Sequence, residues 1–365
     1  METDRTDIDF VVTWVDGTDP AWQARKRAAE AAEGGKASSD SEANGPDRYR
    51  DLGLLRHWFR GVERFAPWVR KVFFVTCGQK PDWLDETHPK LRLLDHREYI
   101  PGEWLPTFHS NTIELNLHRV SDLSERFVLF NDDMFLLQPQ GPENFFRGGL
   151  PVLPCDLGVP RWMGNNNIAR IVLNNGGALK YGLDVERLVW KHMWKYVDVR
   201  ALGVGRAAKN LAAFVVNRIL LPGCFGHLPQ PHLKSTLETV WEKQPKALER
   251  TCRNRFRGDD CVNHWLLSAW DMVTGRFHPA NEKRLGRHMA IKKSDLGAAC
   301  DTIRRQDCPE ICLSDRNIPD EDFEACREAI EAAFQIILPE KSSFEKVGPE
   351  YRHRLSAQGV SNGHF

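Results

Sequence analysis

The sequence lacks an excess of charge of either sign. Its 365 residues include 50 Lys and Arg against 50 Asp and Glu, which argues against a nucleic-acid protein held by bulk charge. It also lacks any apolar run near the roughly 20 residues that span a membrane. The longest candidate, Leu211 to Leu221, is broken by Asn217-Arg218. Since the N-terminus does not resemble a signal peptide either, we expect a cytoplasmic protein.

The nine cysteines show no regular disulfide framework, because their number is odd and their positions are scattered. Cys300, Cys308, Cys312 and Cys326 lie close in sequence, but their spacing is not a standard zinc pattern. We therefore expect free thiols, as in most cytoplasmic proteins.

Bulky apolar residues are missing from Gly34 to Asp47, so this stretch cannot bury itself and is predicted to be a flexible loop. It either flanks a functional site or is a tolerated insertion. Residues 346–365 are predicted to form a loosely ordered tail.

The most informative stretch runs from Arg126 to Phe135. Its apolar run predicts a buried strand that ends in Asn131-Asp132-Asp133. In open α/β sheets, ligands bind at the carboxyl ends of the strands. Two carboxylates there suit Mg²⁺ or Mn²⁺, which usually also contact substrate phosphates. The alternative is an ordinary turn, since Asn and Asp are turn formers.

The N-terminal part follows the same pattern of a strand that ends in polar residues. Ile8 to Trp14 reads as a strand that ends near Asp16-Gly17, with Asp19 capping a helix that has Pro20 at its first position. Further helical and strand patterns alternate up to residue 96. This alternation predicts an α/β fold with a mostly parallel, Rossmann-like sheet.

Several polar segments allow both a structural and a functional interpretation. Ser110 or Asn111 caps a predicted helix, whose N-terminus would suit phosphate. The Asn-rich segment 165–177 predicts turns and a hairpin tip, or a sugar-binding edge. Two basic amphipathic helices, predicted at 183–196 and 206–221, either rest on a membrane surface or pack as a helical subdomain over the sheet.

Two later segments carry further candidate catalytic groups. His227 lies in a loop framed by Gly and Pro, where its ordinary pKa suits a general base. A lone loop histidine is more often structural. Arg257 follows two other arginines, and guanidinium groups bind phosphate well, although an Arg/Asp cap is the simpler explanation. Asp260 and Asn263 are predicted one turn apart on one helix face.

These residues resemble the conserved blocks of the Stealth family. Ile8 to Trp22 resembles the first block, and Arg48 to Phe135 resembles the long second block, which ends in Phe130-Asn131-Asp132-Asp133. The segments 223–234 and 338–345 resemble the third and fourth blocks, and Lys341, Ser342 and Ser343 would reach a nucleotide.

The resemblance implies a glycosyltransferase-A-type fold and transfer of a sugar-1-phosphate from a UDP-sugar to a hydroxyl of an acceptor glycan, with UMP released. It implies one catalytic domain over 1–345, with a core sheet from 8–155 and 223–345 and a helical insertion at 180–222. Asp132 and Asp133 would hold Mg²⁺ or Mn²⁺, and Arg257 would bind phosphate. His227 would accept the proton of the acceptor hydroxyl or else stabilise the phosphoryl group.

The predicted substrate-binding residues are Trp14, Asp16, Gly17, Arg60, Ser110, Asn111, Glu114, Asn131, His232, Lys234, Asp260 and Asn263. Expected partners are the UDP-sugar, the glycan acceptor and the inner face of the cell membrane, with no nucleic acid. One alternative is a conventional metal-dependent glycosyltransferase that releases UDP. Another is a glycan-binding homologue without catalysis.

Overall fold

The computed structural model describes residues 7–34, 44–158, 167–216, 221–223, 226–315 and 318–346. Residues 35–43 of the predicted flexible loop and residues 347–365 of the predicted tail lie outside the described residues, as do Asn165 and Asn166. The strands are β1 (Ile8–Thr13), β2 (Val72–Thr76), β3 (Leu91–Asp95), β4 (Arg126–Asn131), β5 (Met134–Leu136), β6 (Phe146–Arg147), β7 (Leu150–Pro154), β8 (Asp156–Gly158), β9 (Leu221–Gly223), β10 (Gln230–Leu233), β11 (His278–Ala280), β12 (Gly286–Ile291) and β13 (Glu310–Asp315).

Helices lie between and around these strands. They are α1 (Pro20–Ala32), α2 (Leu55–Phe65), α3 (Ser110–Leu115), α4 (Asn167–Gly182), α5 (Val185–Lys191), α6 (Met193–Tyr196), α7 (Val199–Leu202), α8 (Val204–Val216), α9 (Lys234–Lys243), α10 (Pro245–Arg253), α11 (Trp265–Thr274), α12 (Glu282–Leu285), α13 (Leu296–Arg305) and α14 (Asp320–Ile337). Among these described helices, none is long and apolar enough to cross a membrane.

The central sheet has the strand order β10-β4-β1-β2-β3. β4, β1, β2 and β3 run parallel, and β10 is an antiparallel edge strand. Thr13 is aligned with both Val75 and Asn131, so the carboxyl ends of the parallel strands share one edge of the sheet. The predicted Rossmann-like α/β class, with a mostly parallel sheet, is confirmed.

Both faces of this sheet are buried because successive side chains point to opposite sides. Phe10, Val12 and Phe74 belong to one apolar cluster, and Val11 and Phe73 belong to the other. α2 packs on the first face, where the rings of Trp58 and Phe130 lie 5.4 Å apart in an edge-to-face arrangement. This packing gives the site a rigid base.

A second sheet fixes the turn after β4. β5 begins directly after Asp133 and pairs antiparallel with β13, whose other neighbour is β12. The Leu313 backbone N–H donates to the Asp133 carbonyl at 2.8 Å. The turn that contains both aspartates is therefore held between two sheets.

The structure corrects three predictions of local structure. The Asn-rich segment is helical from Asn167 onward, as α4, and not a hairpin. α3 begins at Ser110 with His109 at its N-cap, so neither Ser110 nor Asn111 is the cap. α11 begins at Trp265, which leaves Asp260 and Asn263 in the preceding loop.

Candidate active site

Three carboxylates meet near the carboxyl ends of β1 and β4. Asp132 and Asp133 are half-buried in the turn after β4. Asp51 comes from the segment before α2, and its Oδ2 accepts a 2.9 Å hydrogen bond from Trp14 Nε1. Burial, together with the charges of Asp51 and Asp133, raises the pKa of Asp132 well above its ordinary value. Burial raises the pKa of Asp51 as well, and the charge of Asp16 adds to that effect.

Asp133 has one carboxylate oxygen with a partner and one without. Cys312 Sγ donates to Oδ2 at 3.4 Å, whereas the buried Oδ1 has no hydrogen-bond partner in the described part of the chain. Burial raises the pKa of Asp133 to about 6, although Cys312 and the charge of Arg48 act in the opposite direction. A buried carboxylate oxygen without a partner is costly unless something binds there.

This arrangement fits a hard divalent cation. Asp132 and Asp133 supply oxygen atoms, and the raised pKa values show that their negative charge is poorly compensated. Within the described residues, no group of three His, Cys, Asp or Glu side chains is preformed to hold a metal. Mg²⁺ does not need such a group, since it binds through one or two carboxylates plus water and substrate phosphate.

The loop after β1 supplies Asp16 and Gly17. Asp16 Oδ1 accepts from the Thr18 backbone N–H at 2.8 Å and from Thr18 Oγ1 at 2.6 Å. Gln79 joins this loop to the end of β2, because its amide bonds both the N–H and the C=O of Asp16 at 3.0 Å. At Gly17 a Cβ atom would lie only 2.1 Å from the Tyr49 carbonyl oxygen. Glycine is therefore required for the close approach of segment 48–51.

Arg257 supplies a cation beside this segment. Its backbone N–H donates to Asn44 Oδ1 at 3.1 Å, and Asn44 Nδ2 donates to its carbonyl at 3.2 Å. The guanidinium donates through Nη2 to Ser110 Oγ at 3.3 Å. Its buried Nε has no partner among the described residues. Burial and the neighbouring charge of Arg48 lower the pKa of Arg257, while Glu114 opposes them.

Glu114 and His264 form a buried pair next to Arg257. His264 Nδ1 lies 2.6 Å from Glu114 Oε2. Burial alone would raise the pKa of Glu114, but the charges of His264 and Arg257 and the hydroxyl of Ser110 hold it below its ordinary value. The pair thus supplies an ionised carboxylate that faces both a histidine and the guanidinium.

His227 lies between the first residue of α11 and β12. Its ring centroid is 5.9 Å from that of Trp265 and 5.1 Å from that of His288. His288 Nε2 lies 2.7 Å from Ser314 Oγ, and Ser314 follows the residue that bonds the Asp133 carbonyl. His227 is half-buried, so its ring is accessible to a substrate.

Two predicted substrate-binding residues lie in and directly after β10, which runs antiparallel to β4. His232 in β10 pairs with Phe127, the second residue of β4, and is fully buried. Burial and the charge of His264 lower its pKa well below the ordinary value. Lys234 lies at the amino end of β4, where its Nζ donates to the Val120 carbonyl at 2.7 Å. His232 therefore lies behind the Glu114–His264 pair, with its ring centroid 5.8 Å from that of His264, whereas the structure does not bring Lys234 to the site.

Arg60 also lies elsewhere, because α2 turns its side chain toward the C-terminal end of α14. Its guanidinium bonds both carboxylate oxygens of Glu345, at 2.7 and 3.1 Å, and the Leu338 carbonyl at 3.1 Å. Ser343 is on this side too, since its backbone N–H donates to Glu63. Arg60 is part of a buried ion pair that joins α2 to the segment after α14.

The remaining predicted residues surround the site in different ways. Asn131 is half-buried at the end of β4, whereas Asn111 is buried with an Nδ2 that lacks a partner in the described structure. Asp260 accepts from Asn254 at 2.8 Å. Asn263 is buried and accepts from Asn175 at 2.8 Å. Asp260 and Asn263 therefore have different surroundings and do not form the single polar edge that was predicted.

The sequence interpretation missed Arg48, Asp51 and His264. The charge of Arg48 acts on Asp133 and on Arg257, and Asp51 acts on Asp132. Arg48 and Asp51 lie where the ordered sequence resumes after the low-complexity stretch. This position is the sequence feature that could have pointed to them. His264 gives no such signal, because only folding places it beside Glu114.

Two models of one protein family match parts of this chain. The model "Stealth protein CR1, conserved region 1" matches residues 6–34, and "Stealth protein CR2, conserved region 2" matches residues 48–151. The resemblance of segments 223–234 and 338–345 to the third and fourth blocks stays a prediction.

The chain is similar along most of its length to several named bacterial proteins. It is 38% identical to the capsular polysaccharide phosphotransferase WcwK of Streptococcus pneumoniae, over 93% of this chain and 99% of that protein. It is 37% identical to the receptor polysaccharide phosphotransferase WefC of Streptococcus oralis, with the same two coverages. It is 33% identical to an exopolysaccharide phosphotransferase of Lactiplantibacillus plantarum, over 93% and 96%. The chain therefore belongs to the Stealth family and is an enzyme of the transferase class, a phosphotransferase.

Proposed function

We propose that this enzyme transfers a hexose-1-phosphate, such as N-acetylglucosamine-1-phosphate, from a UDP-sugar to a hydroxyl of an acceptor glycan. The acceptor oxygen attacks the phosphorus that bears the sugar. A new P–O bond forms, the pyrophosphate P–O bond breaks and UMP leaves. The glycosidic C–O bond survives, so the product is a phosphodiester. The names of the relatives, which are polysaccharide phosphotransferases, support the glycan acceptor.

One observation carries this proposal: two buried, oppositely charged atoms beside segment 48–51 lack partners among the described residues. They are Asp133 Oδ1 and Arg257 Nε. A metal-bound pyrophosphate would satisfy both, since the cation binds the carboxylate and a phosphate oxygen accepts from the guanidinium. The charge of Arg48 acts on both residues, so it belongs to the same electrostatic environment.

Asp132 and Asp133 would hold Mg²⁺ or Mn²⁺, which would neutralise charge on the pyrophosphate. Arg257 binds a phosphate oxygen, and Ser110 and Glu114 orient its guanidinium. His227 accepts the proton of the acceptor hydroxyl. We assign this role to His227 and not to His264 because His264 is buried, whereas His227 is half-buried.

Asp16 and Gly17 would lie near the nucleotide, since the loop after β1 forms one wall of the same edge. We place the enzyme in the cytoplasm, a location that the free thiols support. All eight cysteines in the described residues are free.

Product analysis tests the reaction. The enzyme is incubated with Mg²⁺, a panel of UDP-sugars and candidate oligosaccharides, and the products are identified by mass spectrometry. A phosphodiester-linked sugar with UMP supports the proposal, whereas a plain glycoside with UDP would show conventional glycosyl transfer.

His227→Ala should lower kcat at least about 100-fold. His88→Ala is a matched control, because His88 contacts Ser343 at the amino end of β3, whereas the candidate site lies at the carboxyl ends of the strands.

A further inference from the structure

Exposed apolar side chains concentrate in one part of the molecule, the helical segment 167–216. Among the described residues, nine large hydrophobic side chains are exposed, and all except Ile336 belong to this segment. The eight are Leu173, Tyr181, Trp190, Trp194, Val199, Val204, Leu211 and Val215. Apolar residues scattered singly need no explanation, but such a concentration marks an interaction surface.

α8 shows that this exposure has a regular geometry. Ala207, Asn210 and Phe214 are buried, and Asn210 anchors the helix by accepting from the Leu157 N–H and donating to the Tyr196 carbonyl. Val204, Leu211 and Val215 recur on an adjacent side of the helix, at helical spacing, and are 72%, 48% and 78% exposed. Since the inner side is already packed, the outer apolar stripe is a separate surface.

The composition around this stripe fits the interface of an anionic membrane. Trp190 and Trp194 are exposed on either side of Lys191, and the exposed Tyr181 follows Lys180. Aromatic rings combined with Lys and Arg favour the boundary between water and lipid. Segment 167–216 contains eight Lys and Arg but only three Asp and Glu, although the whole chain is neutral.

The surface is also joined to the candidate active site. In α4, Asn175 bonds Asn263 at 2.8 Å, and Asn174 donates to the Asp259 carbonyl at 2.8 Å. Both contacts fall in the loop that follows Arg257. α4 therefore connects segment 167–216 to the loop that follows Arg257.

We propose that segment 167–216 docks this enzyme on an anionic lipid bilayer, with the α8 stripe and the exposed tryptophans at the interface. A second copy of the chain fits less well, because a symmetric pairing would bring two positively charged surfaces together. Docking is a binding property and does not depend on the reaction proposed above.

Vesicle flotation without donor or acceptor tests this docking. The full-length enzyme should float with vesicles of phosphatidylcholine and phosphatidylglycerol and much less with phosphatidylcholine alone. The double variant Leu211→Ser/Val215→Ser should lower binding about tenfold or more, whereas Ile336→Ser, an exposed apolar residue on α14, should not. Lys191→Glu should weaken binding to the anionic vesicles about fivefold or more. Lys292→Glu, at an exposed position far along the chain, should have no effect.

Circular dichroism melting establishes that each variant is folded. Absence of wild-type flotation, or equal flotation of wild type and the double variant, would overturn the proposal. The proposal would also be overturned if light scattering shows a wild-type dimer without lipid and a monomeric double variant, while the wild type does not bind vesicles. Product analysis with a soluble acceptor does not require membrane docking. Failure of the proposed reaction can therefore be distinguished from failure of the proposed docking.

Discussion

Asp133 combines a buried oxygen that lacks a partner in the described structure with a pKa raised to about 6. The sequence alone suggested Asp133 as a metal ligand, because a strand that ends in two aspartates is typical of a metal site. The raised pKa of Asp133 was not readable from the sequence, since it depends on burial, on Cys312 and on Arg48. These residues come from distant parts of the chain.

We expect Mg²⁺ to stabilise the protein, by about 2.7 kcal/mol at a concentration near 100 times its Kd. Asp133→Asn should abolish this effect because the amide cannot replace the charged ligand. Thermal melts with and without Mg²⁺ check the prediction. Asp295→Asn, an exposed position, serves as the control. An Mg²⁺-dependent rise in Tm that is unchanged in Asp133→Asn would exclude this residue as a ligand.

Glu114→Gln should lower kcat/KM about 100-fold, because the neutral amide no longer holds the charges of His264 and Arg257 in place. The stability of the variant should fall as well. Steady-state kinetics together with urea denaturation separate the two effects. Glu103→Gln, on an exposed turn, should match the wild type. Full activity in folded Glu114→Gln would place the Glu114–His264 pair outside the catalytic machinery.

At the scale of elements, the strongest periodic patterns predicted their structures well. α1 begins at Pro20, with Asp19 Oδ1 accepting from the Ala21 N–H, as the sequence indicated. The segment with two Asn and two Gly inside α4 was misread because its intrinsic helix propensity is low. Tertiary packing overrides that propensity, since Ile171, Ala178 and Leu179 are buried and Asn175 finds a buried partner.

The ion pair between Arg60 and Glu345 joins α2 to the segment after α14. Glu345→Ala should destabilise the fold by about 3 kcal/mol, because it leaves a buried guanidinium without its counter-ion. We expect kcat to be unchanged in protein that is folded. Urea denaturation measures the first effect and transfer kinetics the second. Glu340→Ala, an exposed neighbour, is the control. A large fall in kcat with unchanged stability would indicate that Arg60 acts in the active site.

At the scale of the whole molecule, Asp271 makes stability depend on pH. Burial raises its pKa to about 7, although Thr236 Oγ1 donates to it at 2.6 Å. Because the folded state holds the proton more tightly than the unfolded state, this contribution is complete below about pH 4. It is lost as the pH rises through about 7.

Asp271→Asn should therefore increase the free energy of unfolding at pH 8, on the order of 2 kcal/mol, and have little effect at pH 4. Urea denaturation at several pH values checks this. Asp301→Asn, on the exposed side of α13, should leave the pH profile unchanged. If the difference between wild type and Asp271→Asn is the same at all pH values, the ionisation of Asp271 does not govern this dependence.

The sequence by itself determined the fold class, the family and the acidic turn, because these depend on local periodicity and on short contiguous motifs. It also predicted Arg257, Ser110 and Glu114 as candidate site residues, and the structure places these three side by side. The tertiary structure decided which residues act together. The antiparallel direction of β10 moved Lys234 to the far edge of the sheet, and the packing of α2 turned Arg60 toward Glu345. Folding also brought Asp51 to the aspartates and His264 to Glu114, contacts between residues far apart in the chain that no local pattern encodes.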